Sequence, residues 1–228
     1  MNPSRSLMLF SLGFAVFLLS PAYLVASAPP EGLLRVGDLL DLFTPLVLVP
    51  LYALLLYHRD GEWPRWPKML LFLLLCAAWV EGHSVHLAAN ALGHLLDAQP
   101  LSAAYRLDYF LDEHLSHMVW HAAIIVLACL LLVRGKLEME VSRLSCIVSA
   151  VPYGFSYFAI TVEGQTAAMG IVAALALSGF IASKFRERRR DAYSVFFLIA
   201  HLLALILYLI WFLMNGGLPQ FSEVGLLK

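Results

Sequence analysis

Seven stretches of mostly apolar residues punctuate the chain: Leu7–Ser27, Leu39–Tyr57, Met69–Leu92, Leu107–Val133, Leu144–Val162, Ala167–Ser183 and Tyr193–Met214. A transmembrane helix needs about 20 such residues. Alternation with period two is absent, which argues against a β-barrel, and in lipid only a helix satisfies the backbone of one isolated segment. The pattern predicts an all-α polytopic membrane protein: one seven-helix transmembrane bundle over residues 1–228. The first stretch has a second reading. Met1–Arg5, the run Leu7–Leu19 and Ala26-Ser27-Ala28 together look like a signal peptide with its cleavage site. We take it as the first span.

Composition agrees. Apolar residues make up 61% of the 228 and charged residues 14%, against about 25% charged in soluble domains. Mean hydropathy is +0.79. A net charge of −1 gives no reason to expect a nucleic-acid partner. Cys76, Cys129 and Cys146 sit inside apolar runs with no disulfide or zinc-ribbon spacing. Twelve Lys and Arg residues, among them Arg59, Lys68, Arg143 and Arg188, fall on one side of the predicted spans. Only Arg35, Arg106 and Lys228 fall on the other. The positive-inside rule then predicts a cytoplasmic N-terminus and an external C-terminus. Pro45, Pro50 and Pro152 are expected to kink their helices, and Gly164 to allow a tight turn between spans five and six.

The polar residues inside spans three and four change the picture. Span three carries Glu81, His83, Ser84, His86, Asn90 and His94. Span four carries Asp112, Glu113, His114, Ser116, His117 and His121. Six of the eight histidines fall within these 41 positions. Ionisable groups in hydrocarbon are costly and mark function by default. On an α-helical wheel His83, His86, Asn90 and His94 share an arc of about 80°, and Glu113, His114, His117 and His121 one of about 100°. In an antiparallel hairpin turning near Pro100, His83 comes level with His117, His86 with His114 and Glu81 with His121. Histidines spaced i, i+3 and i, i+4 share a face and can chelate one ion.

The expectation is a metal site held by His83, His86, His114, His117 and His121. Glu113 is the candidate general base. Glu81, Asn90, Asp112, Glu163 and His201 are possible supporting groups. A mixed imidazole and carboxylate set suits zinc first, with iron, copper or nickel open, and haem ligation also remains open. The competing reading is a buried histidine network that joins helices or relays protons.

Two resemblances bear on this. Seven spans, with Glu81 and Ser84 beside histidines on span three, Asp112-Glu113 after them and the HxxxH pair His117/His121, resemble the CREST superfamily of membrane hydrolases, which includes the alkaline ceramidases. That family holds zinc by three histidines and cleaves lipid amides, but it carries its HxxxH pair on the last helix, where this chain has only His201. The run Ser116-His117-Met118-Val119-Trp120-His121 resembles the HMxxH helix of CtaG-type cytochrome oxidase assembly proteins, which implies copper handling. The leading expectation is a metal-dependent membrane hydrolase of a lipid or amphiphile. The alternatives are a copper or haem carrier or assembly factor, and a histidine-rich membrane oxygenase.

Overall fold

The computed structural model describes residues 3–28, 34–96, 100, 102–132, 142–188 and 191–227. The described residues form helices α1 (Pro3–Leu19), α2 (Val36–Asp60), α3 (Trp66–Leu96), α4 (Ala103–Leu132), α5 (Arg143–Glu163), α6 (Ala167–Ser183) and α7 (Ala192–Asn215). Single helical turns at Ser20–Tyr23 and Phe185–Arg188 complete them. No strand occurs among the described residues; one isolated bridge pairs Ser27 with Arg35. Six of the helices are long and apolar enough to cross a membrane, and α6, equally apolar, is shorter at 17 residues. The protein is an all-helical, membrane-embedded chain.

The predicted spans fall on these helices, with shifts at the ends. Span one stops early because Pro21 enters at the start of a 3-10 turn, where its ring and missing N–H end α-helical pairing. Pro45, Pro50 and Pro152 lie inside α2 and α5, which continue through them. Val133, the predicted end of span four, lies outside the described residues.

The core is aromatic. α5 packs between α1 and α7, with Phe10, Phe14, Tyr52, Tyr153, Phe196 and Phe197 buried together. Phe14 and Tyr153 stack at 4.4 Å between centroids. At the C-terminal end of α2, buried Arg59 forms an ion pair with Asp191, which also caps α7 through the Ser194 amide. Tyr193 donates from its hydroxyl to the Leu55 carbonyl at 2.8 Å. This latch fixes α2 against α7, so the other end of α2, with Asp38 and Asp41, is held in a defined place.

Candidate functional site

Helices α3 and α4 pack closely where Gly82 lies. A Cβ at that position would come within 2.9 Å of the Trp120 backbone nitrogen and 3.0 Å of the Ser116 carbonyl oxygen. Only glycine permits this approach. α4 is not α-helical throughout: Phe110–Ser116 forms a π segment. Its wider i→i+5 turns change which residues share a face. π segments inside α-helices are frequent at functional sites, and this one carries Asp112, Glu113 and His114.

The π segment corrects the pairing predicted by the wheel and the hairpin register. His86 meets His117, ring centroids 4.7 Å apart, and not His114. His83 meets Trp120 at 5.5 Å. The slip is three residues, because a register counted at α-helical pitch fails across a wider segment. His114 is exposed and packs against Tyr109 and Phe110 of its own helix, away from the other histidines.

The hydrogen bonds of the remaining histidines assign their ring protons. His86 donates from Nδ1 to an Asp112 carboxylate oxygen at 2.6 Å. His117 donates from Nδ1 to the Glu113 carbonyl at 3.3 Å. A carbonyl and an ionised carboxylate only accept, so with Asp112 ionised both imidazoles carry a proton on Nδ1. Nδ1 of His121 meets the Thr166 hydroxyl at 2.6 Å. That hydroxyl also lies 3.4 Å from the Thr161 carbonyl. His83 differs. Its Nε2 donates to an Asp41 carboxylate oxygen at 3.0 Å. The second Asp41 oxygen lies 3.8 Å from Nε2 of His86.

A polar pocket of about 240 Å³ collects these groups. Its wall includes Asp38, Asp41, His83, His86, Asp112 and His117. Asn90, Glu113 and Glu163 line it too. Asn90 donates to Asp38 at 3.2 Å, and Asp38 accepts the Arg35 amide that starts α2. Glu113 accepts from Gln165 and Gln220 at 3.1 Å each. Glu163 accepts from the Phe221 amide at 2.7 Å. His121 is buried behind His117, stacked on it at 5.5 Å. Gly164 presses on both: a Cβ there would meet the two rings at 2.7 and 2.8 Å. Gly164 and Gln165 together make the turn between α5 and α6, and the positive φ, 53°, falls on Gln165.

Two predicted supporting residues lie elsewhere. Glu81 is exposed on the face of α3 turned from the cluster. His201 is buried on α7 between the rings of Tyr157 and Phe197. The side chain of His94 lies outside the described part of the structure.

Asp41 and Asp38 are the residues that the sequence reading missed, although Asp41 falls inside predicted span two and is subject to the same rule that singled out the histidines. Thr166 and Gln220 carried no local signal, since both reach the site only through folding.

Among the described residues, no three His, Cys, Asp or Glu side chains stand in coordination geometry around one point. The side-chain types that meet there, imidazole and carboxylate, are ones that transition metals take. Histidine ligands of metals characteristically donate their other ring nitrogen to a carboxylate or carbonyl, and His86 and His117 each have Nδ1 on such a group. Two tetrahedral zinc ligands stand about 3.3 Å apart. Among the candidate ligands, an Asp41 carboxylate oxygen lies 3.8 Å from Nε2 of His86; its 3.0 Å approach to His83 is a hydrogen bond. No family model, curated protein or solved structure matches the chain.

Proposed function

We propose that this chain is a seven-helix membrane enzyme that binds a divalent transition metal, zinc first, and hydrolyses a lipid or lipid-like amphiphile. The ligands in this reading are Asp41, His86 and His117, with the fourth position open to the pocket, as catalytic zinc sites require. The carrying observation is the pair of imidazoles whose Nδ1 protons are committed to Asp112 and to the Glu113 carbonyl, beside a carboxylate held by His83. His83 serves as support for Asp41, and Asp112 as support for His86. A bound zinc ion would supply a Lewis acid and lower the pKa of water to about 7. Glu113, on the pocket wall under two glutamine amides, takes the proton of the attacking water and returns it to the leaving group. Such general acid–base help is worth roughly 10²–10⁴-fold. The basic-residue asymmetry supports a cytoplasmic N-terminus, an external C-terminus and a pocket in the outer half of the bilayer.

The test is chelator-reversible hydrolysis of synthetic acyl-ester and acyl-amide amphiphiles by purified protein. Activity lost on chelation and restored by zinc is expected, with Glu113→Gln inactive but still metal-loaded. Hydrolysis that survives complete removal of metal refutes the reading. A second reading, a histidine–carboxylate proton relay without metal, draws on the chain His83–Asp41 and His86–Asp112, in which the Asp41 carboxylate lies between the two imidazoles. It predicts a purified protein that takes up no metal.

A further inference from the structure

A second cleft, of about 300 Å³, adjoins the polar pocket. Leu19 and Tyr23 wall it on the α1 side, Phe155 and Ala159 on α5, and Phe221 and Leu226 on the C-terminal segment. Its chemistry is the opposite of its neighbour's. Glu163 is the one carboxylate on its wall, and the Oε2 atom of that carboxylate already accepts the amides of Phe221 and Ser222. Glu163 stands in the walls of both cavities, as do Leu18, Ala22, Ile160 and Leu227. The two cavities thus adjoin across these five residues, the one polar at the histidines and the other apolar.

The roof over this space is built, not draped. After α7 ends at Asn215, the chain turns back, and Trp211 donates from its indole nitrogen to the Pro219 carbonyl at 2.9 Å. Phe221 packs on Trp211 at 4.7 Å and on Phe158 at 5.7 Å. Gln220 reaches down to Glu113 and to the Glu163 carbonyl. One segment thus closes the apolar cleft with Phe221, Leu226 and Leu227, and touches the proposed catalytic carboxylate with Gln220.

We propose that the apolar cleft holds the hydrocarbon chain of the same molecule whose polar head occupies the histidine pocket. This rests on the function proposed above and narrows the substrate to an amphiphile that presents one extended chain beside the bond to be cleaved. Its place beside the polar pocket, with Glu163 in both walls, selects the chain of the molecule held there. Apart from Glu163 and the Tyr23 hydroxyl the side chains that wall the cleft are apolar, the composition that ligand sites use for the apolar part of a molecule.

The experiment uses the full-length protein in phosphatidylcholine nanodiscs and a lysophosphatidylcholine probe carrying a diazirine midway along a saturated chain. Photolysis and peptide mapping should place adducts on 155–160 and 221–227. Ala159→Trp, and independently Leu19→Trp, should reduce those adducts about tenfold by overpacking the cleft. Adducts on the exposed face of α7, at Leu209 and Leu213, should not change, and they report that each variant is folded and in lipid. His117→Ala should keep the cleft adducts, because chain binding does not require the metal. If the purified protein proves metal-free while the cleft is still labelled, the function above fails and the cleft stands. Labelling of the cleft no stronger than that of the α7 face, or unaltered by both Trp variants, overturns the inference whatever the metal content.

Discussion

Gly164→Ala is a one-carbon change that reaches the centre of the site. Gly164 follows α5 with φ −83° and ψ 20°, a conformation open to alanine. The backbone term alone therefore favours the variant by roughly 0.4–1 kcal/mol, through a less disordered unfolded chain. Sterics oppose it. The added carbon would lie 2.7 Å from Cε1 of His121 and 2.8 Å from Cδ2 of His117, where ordinary contact begins near 3.4 Å. One or both rings must move by about 0.7 Å, and overpacking of this kind costs about 1–3 kcal/mol. The net effect is a loss of up to about 2.6 kcal/mol. The local effect matters more. The bond from His117 to the Glu113 carbonyl is already long at 3.3 Å, and a shift of that size breaks it. His117 then loses the contact that presents Nε2 to the pocket, and metal affinity should fall about 10–100-fold, as for other lost supporting partners. Titration of metal into apo-protein measures the affinity, and thermal unfolding in detergent measures the stability. Wild-type affinity in a folded Gly164→Ala protein would refute the placement of His117 against the end of α5.

Asp112→Asn keeps the shape but removes the carboxylate that accepts from His86; metal affinity should drop about 10–100-fold, and an unchanged value would take Asp112 out of the site. His114→Ala should leave affinity unaltered, because that ring is exposed and packs only on its own helix; a loss comparable to that of His117→Ala would restore the register counted from the sequence. Cysteines placed at exposed Gln165 and Arg186 should react with an impermeant maleimide from outside and from the cytoplasm respectively, and the reverse pattern would invert the orientation.

The helices were legible because lipid imposes a length and a composition, and apolar runs record both. The polar cluster on α3 and α4 was legible because such residues are conspicuous in those runs. Its pairing was not. A wheel assumes 100° per residue, and the π segment from Phe110 to Ser116 breaks that assumption, so His114 swings out and His86 meets His117. Asp41 escaped because it lies on α2, 42 residues from the histidine it binds. Gly164 shows the same limit on a smaller scale. A glycine at a helix end reads as a turn, yet here two imidazole rings require it, and only the folded chain brings them there.

The most direct measurement is calorimetric titration of zinc into chelator-stripped, detergent-purified protein, wild type beside Asp41→Ala, His86→Ala and His117→Ala. The account predicts one tight site in the wild type and its loss in each variant, with every variant still folded by circular dichroism. A wild-type protein that binds no zinc, or three variants that bind it as tightly as the wild type, would contradict the metal centre proposed for Asp41, His86 and His117.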